Sequence, residues 1–262
     1  MANALLTFPG ALGYVTELLS GDFATPFGRS SHHQVWSEAM VVTPIVHGLF
    51  GIETLDGGTT LRVAPALPGA WDRAAAAGVR AGAARYDVIV ERASGRMVVR
   101  FTRRDSDRRS VRLVAAPALP LDAKIRGVTV NGSRVKHETT IAGDVQRVGV
   151  SVEESSRVTE IVFAYDEGTD VSVDVPDLHQ GEASGNLRIL RAAADARVLR
   201  LRLEGRGART YVLSVRTPKR LGAVEGVVVV RANGRDQQLR VSFEGPADTY
   251  IRRDIVVPLL QR

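Results

Sequence analysis

The stretch "RVLRLRLEGRGARTYVLSVRT" sets the strongest limit on how this chain can fold. Leu and Val alternate with Arg, the period of a strand that turns one face to a core and the other to water. A helix would spread the same residues around its whole circumference. Similar alternation recurs in "YDVIVERASGRMVVRFTRR", "VQRVGVSV", "RVTEIVFAYDE", "NLRILRA" and "RDIVVPLL". Turn residues punctuate it. Ala93-Ser94-Gly95 parts two alternating runs, and Asn131-Gly132 and Asn233-Gly234 each sit between extended segments, a strong local hairpin signal. "TTLRVAPALPGAW" gives one short strand and then Pro-bounded coil. Many short strands with closely spaced turns point to a β-sandwich.

The chain of 262 residues is long enough for two ordinary domains or one large one, and its 44% hydrophobic content supplies a sizeable core. Gly, Asp and Pro cluster at 168–180 and divide the strand series. The expected layout is a β-sandwich over 53–168 and a second, smaller one over 169–262. A single larger sandwich is the alternative. The absence of cysteine excludes disulfides and thiolate metal sites. No apolar run reaches the roughly 18 residues of a membrane span. "MANALLTFPGALG" lacks the basic start of a signal peptide, so none is expected, and the compartment stays open. No cofactor or metal is expected either: there is no phosphate-binding loop, no paired-histidine zinc motif and no nucleophile elbow. The net charge of +6 and pI near 10.1 raise the question of nucleic acid. The arginines, however, alternate along strands among interspersed acids, with few aromatics to stack on bases. That reads as a solvated sheet face and against a nucleic-acid partner.

The first 52 residues differ. Residues 2–20 can form a helix with Leu5, Leu6, Leu12, Leu18 and Leu19 as contacts. "SGDFATPFGRSS" is a loop, and a second helix runs from about His33 to Phe50. There Val35, Trp36, Ala39, Met40, Val42, Val46 and Leu49 follow a helical spacing, Pro44 should kink or divide the helix, and Gly48 and Gly51 suit its end. Residues 1–52 are thus expected to be an αα-hairpin, and the fold class mainly β with this helical opening. Glu17, Asp22 and Glu38 are carboxylates near Tyr14, Phe23, Phe27 and Trp36, with His32, His33 and Gln34 opening the second helix. Aromatic faces can stack on sugar rings, donors can hold hydroxyls, and a carboxylate can activate water. The competing reading makes Glu17 a surface residue and the histidines helix caps. Glu38 reads as helix surface.

"YVTELLSGDFATPFGRSSHHQVWSEAMVVTPIVHGLFGIE" resembles the last helical hairpin of six-hairpin glycosidases, the glucoamylase-type and amylo-α-1,6-glucosidase (glycogen-debranching) enzymes. The resemblance rests on Glu17, Gly21, Trp36-Ser37, Pro44 and Gly48. "LRVAPALPGAW" is similar to the segment where such barrels pass into an appended β domain. The resemblance implies the closing hairpin of an α/α toroid, with Glu17 as general base of an inverting hydrolysis. Trp36, His33 and Phe23 would line the sugar subsite, with an α-glucan or oligosaccharide as partner. It covers about residues 4–52, extending to about 71 with the junction. The general acid that should face the base across roughly 6.5–9.5 Å has no counterpart here. The chain is therefore expected to be catalytically incomplete alone. A truncated gene, a split enzyme completed by another chain, and a shortened descendant all fit. The alternative is a stand-alone carbohydrate-binding or structural module. For that reading Tyr86, Phe101, Phe163, Tyr165, Tyr211, Phe243 and Tyr250 are the only aromatics beyond residue 71, and their strand positions place them in the core.

Overall fold

A computed structural model describes residues 17–18, 28, 30–31, 34–106, 109–173 and 185–261, the side chain of residue 38 excepted. Of the expected first helix (2–20) only residues 17–18 are described, and neither is helical; the rest of it, and Phe23, His32 and His33, lie outside the described residues. So does the Glu38 side chain.

Among the described residues there is one α-helix, α1 (Val35–Thr43), and it runs directly into a π-helical stretch at Pro44–Leu49. Pro44 sits at the seam and brings no N–H, so the tighter hydrogen-bond ladder cannot continue through it. The wider turn closes with Phe50 N donating to Ile45 O at 3.1 Å. Gly51 then reverses the chain at φ +59°, where a Cβ would lie 2.4 Å from the Ala64 carbonyl oxygen. Only glycine fits there. No described helix is long and apolar enough to cross a membrane.

Eleven strands follow up to residue 166. They are β1 (Ile52–Leu55), β2 (Thr60–Val63), β3 (Arg73–Ala81), β4 (Ala84–Ala93), β5 (Arg96–Arg103) and β6 (Arg112–Ala115), then β7 (Lys124–Val130), β8 (Ser133–Val135), β9 (Glu138–Ala142), β10 (Val145–Glu153) and β11 (Val158–Asp166). One sheet runs β1-β2-β6-β10-β9 and the other β3-β4-β5-β11-β7-β8. Their inner faces share one core. Leu61, Leu113 and Val148 come from the first sheet, and Tyr86, Phe101 and Phe163 from the second. Ladders are antiparallel except for β2 and β6, which pair in parallel with Leu61 opposite Leu113. Arg147 secures this end of the sandwich. Its guanidinium donates to Ala64 O (2.9 Å) and Ala116 O (3.0 Å), tying the segments that leave the parallel pair.

The remaining strands are β12 (Asp170–Val173), β13 (Arg188–Ala194), β14 (Val198–Arg206), β15 (Arg209–Arg216), β16 (Arg220–Leu221), β17 (Val227–Asn233), β18 (Asp236–Phe243) and β19 (Tyr250–Leu260). They form two four-stranded sheets, β12-β15-β18-β17 and β13-β14-β19-β16. These enclose a second core around Leu199, Leu203, Leu213, Leu239, Phe243 and Val257.

The alternation in the sequence sets which faces are buried. On β14, Leu199, Leu201 and Leu203 are buried while Arg200 and Arg202 are exposed. The outward arginines pair with carboxylates: Arg202 with Asp254 on β19 (2.8 Å), and Arg188 and Arg252 with Glu204 (2.9 and 3.0 Å). Exposed pairs of this kind add little to stability, because water and salt screen them. The Asn131-Gly132 turn lies where expected, with both residues at positive φ as a tight hairpin requires. The later hairpin turns one residue further on than its Asn-Gly pair suggests. Asn233 still pairs with Asp236, leaving Gly234-Arg235 as the loop with glycine first.

Candidate functional site

The N-terminal candidates can be followed at two positions. Glu17 is partly exposed, and its N–H donates to Ser31 O at 3.1 Å. Leu18 N donates to Ser30 Oγ at 2.8 Å, so the chain before and after the loop meets here. Trp36 is 54% exposed on the first turn of α1. His33 and Phe23, the other proposed subsite residues, lie outside the described residues.

The helix itself differs from an ordinary surface helix. Its apolar residues face outward: Val35 is 74% exposed and Met40 71%, with Trp36, Val42 and Ile45 also exposed. Ser37 is buried instead. The far end of the helix is anchored through Phe50 in the first core and Val46 packed against it.

A second constellation went undetected in the sequence. Between the two cores lies a cleft of about 420 Å³. Pro120 and Gly168, which line it, adjoin the backbone bridge between Leu121 and Thr169, whose two N–H groups donate to each other's carbonyls at 2.9 and 2.8 Å. Beside it the buried hydroxyls of Thr169 and Thr217 meet at 3.1 Å. Ion pairs stitch the two sides together. Asp72 holds Arg216 (2.8 Å), Asp122 holds Lys219 (2.7 Å), Asp144 holds Arg191 (2.6 Å), and Glu167 holds Arg235. In these four the acid precedes residue 168 and the base follows it. Arg92 to Asp170 (3.2 Å) runs the other way.

Two cleft residues are held away from their ordinary chemistry. Burial pushes the Asp170 carboxyl above the usual aspartate range, against the pull of Arg92 and Arg216. Burial likewise pushes the Tyr165 phenol up to about 12. Tyr165 is 3% exposed and packs its ring in the first core. Tyr165 lines the cleft together with Arg92, Asp170 and Glu167, the charges its phenol feels.

Tyr86, Phe101, Phe163 and Phe243 are fully buried, and Tyr250 lies under the guanidiniums of Arg188 and Arg206, 4.3 and 5.6 Å from its centroid. None of these rings is offered as an open stacking platform. Among the described residues no three His, Asp or Glu side chains gather as a metal site.

No protein-family model matches the chain, and none of the curated proteins does. Among solved structures, a mutant of the chondroitin AC lyase of Streptomyces coelicolor A3 aligns at 11% identity with a TM-score of 0.22. The alignment covers 71% of this chain and 34% of the lyase, so the chain spans well under half of that protein's length. A likeness of that depth fixes neither the fold nor the function of this chain.

Proposed function

We propose that this chain is the C-terminal portion of a carbohydrate-active glycoside hydrolase of the inverting α-glucan or debranching type, catalytically incomplete by itself. On this reading residues 1–52 are the closing hairpin of an α/α toroid, and 53–168 and 169–262 are its appended β-sandwiches. Glu17 would supply the general base, Trp36, His33 and Phe23 the sugar subsite, and a helical body the opposing acid. The observation that carries the reading is the outward apolar face of α1, where Val35, Trp36, Met40 and Val42 stand exposed above an end anchored in the sandwich. Contiguous apolar exposure on one element marks a surface that another element covers. The sequence resemblance names the occupant as the neighbouring helices of such a barrel.

The test has two readouts. Purified 262-residue protein is assayed for reducing ends released from α-glucans, beside Glu17→Gln. No release by either is expected, because one carboxylate cannot both protonate the leaving oxygen and activate water. Robust turnover that Glu17→Gln abolishes would overturn the incompleteness. An environment-sensitive apolar dye should bind the protein and be lost in the Val35→Ser/Met40→Ser double variant. Equal dye binding by both proteins would remove the support from α1.

A further inference from the structure

We propose that the outer edge of β17 is an interaction surface and that its partner is a second copy of this chain, the two β17 strands pairing antiparallel about a two-fold axis. This goes beyond the proposed function and rests on none of it.

The first ground is the state of the sheet edges. β17 ends the sheet β12-β15-β18-β17, so one side of its backbone pairs with β18 and the other has no strand beside it. Residues 228–233 are all exposed. The other three edges of the second sandwich are covered or short. β12 lies against the first sandwich, through the Arg92–Asp170 pair and the neighbouring Leu121–Thr169 bridge. β13 is tied to it by Arg191 and Asp144. β16 has only two residues. An open strand edge is a template for another strand, and proteins commonly guard it with Lys, Pro or an inward-pointing charge. β17 carries none of these over Val227–Val230, four consecutive β-branched residues. Val228 is 57% exposed, and Val229 and Val230 are exposed beside it.

The second ground is that the strand complements itself. Antiparallel pairing about Val229 sets Val228 of one copy opposite Val230 of the other, and Val227 opposite Arg231. Glu225 precedes the strand, in a turn that Val227 N closes onto Val224 O at 3.2 Å, and Arg231 lies towards the other end. Both are exposed, and neither is engaged by another side chain among the described residues. In the antiparallel register each copy's Glu225 comes beside the other's Arg231, twice by symmetry, whereas a parallel pairing would set Arg231 against Arg231. The bulge between Val229 and Arg231 twists the edge and makes it a poor match for a flat strand. A second copy carries the same bulge and the same twist. Pairing joins the two sheets into one, uses up both edges and closes the assembly at two copies. One strand pair buries little surface, so the association is weak and depends on concentration.

The experiment is sedimentation equilibrium on the full chain, from about 1 to 500 µM, a range that covers weak dimers. The mass should rise from that of the 28.3 kDa monomer towards twice that value and no further. Hydrogen exchange at the amides of residues 228–233 should slow as the dimer forms. Val228→Lys puts a guarding charge at an exposed position and should weaken the dimer about 10-fold or more. Arg231→Glu sets acid beside acid and should weaken it about 3- to 10-fold, and adding Glu225→Arg should restore it. Thermal melts establish that each variant folds. The Val35→Ser/Met40→Ser variant should dimerise as the parent does, which separates β17 from the exposed face of α1. Monomer at every concentration overturns the proposal and leaves the edge to a strand of another protein. So does a dimer that survives both Val228→Lys and Arg231→Glu in folded protein, a dimer lost in the α1 variant alone, or assembly that grows beyond two copies. None of these outcomes bears on the proposed enzyme, which is judged by turnover and dye binding.

Discussion

Substituting alanine for Gly168 probes the contact on which the two halves of the molecule meet. Gly168 lies beside the Leu121–Thr169 bridge, and a Cβ there would stand 2.2 Å from the Leu121 carbonyl oxygen and 2.8 Å from Ala123 N. Carbon and carbonyl oxygen ordinarily approach no closer than about 3.3 Å, so roughly 1 Å must be made up by backbone movement. Nothing flexible is available to give, because both obstructing atoms are main chain. The displacement should break the two bridge hydrogen bonds and separate the buried Thr169 and Thr217 hydroxyls. At about 0.5–1.5 kcal/mol net for each bond, Gly168→Ala should cost about 2–4 kcal/mol. Differential scanning calorimetry reads this as a lower Tm, at roughly 2–4 °C per kcal/mol for a unit of this size. The two cores could also separate into distinct transitions, which calorimetry resolves. Gly48→Ala is the control: a Cβ there meets nothing within 4 Å, and alanine in a helix is stabilising if anything. A Gly168→Ala protein melting within about 1 °C of the parent would refute the bridge as a rigid seam.

Other substitutions test separate parts of the structure. Arg147→Met keeps the stem and removes the donor shared by Ala64 O and Ala116 O, and urea unfolding should show a loss of about 2–3 kcal/mol. Leu203→Ala empties part of the second core and should cost about 2–5 kcal/mol by the same assay. The Asp195 carboxylate accepts from Arg200 and from the Arg197 and Val198 amides, which hold its pKa down to about 2, the Arg200 side chain most strongly. A depressed folded pKa gives stability that is present above the ordinary value of 3.8 and lost as pH falls towards 2. Asp195→Asn should therefore lower the Tm at pH 7, with the difference vanishing near pH 2. Asp170 has the opposite sign: its raised pKa favours the folded state below 3.8, and that contribution is lost as pH rises. At pH 7 Asp170→Asn should melt no lower than the parent.

The parts of the fold that were legible in the sequence are those set by local pattern. The Leu/Arg alternation of β14 and the Asn131-Gly132 turn carry their own geometry within a few residues. β3 does not. "RAAAAGVRA" favours helix by intrinsic propensity, and it becomes a strand because β4 offers a full ladder beside it, with a bulge between Ala76 and Val79. The parallel pairing of β2 with β6 joins segments about fifty residues apart and leaves no local trace. The helix over 35–49 was legible in extent, and Pro44 does divide it into two kinds of turn. The direction of its apolar face was not, because periodicity gives a stripe without saying what covers it. The cleft was illegible for a stronger reason. Asp72 and Arg216 meet across 144 positions, and each looks in isolation like another charged residue at a strand end.

The order of strands within the sheets has a consequence for synthesis. In the first sandwich β11 lies between β5 and β7, and in the second β19 lies between β14 and β16. Each sandwich thus inserts its last-made strand into the middle of a sheet. Until that strand leaves the ribosome, the sheet around it has a gap and its neighbours expose unpaired backbone. The first sandwich can close once Asp166 has emerged, and it then offers a finished surface on which the second can assemble. The second waits for Leu260, with β14 open along one edge throughout. During that interval β14 is the segment most exposed to mispairing, and its alternating arginines make it a poor partner for another chain's strand.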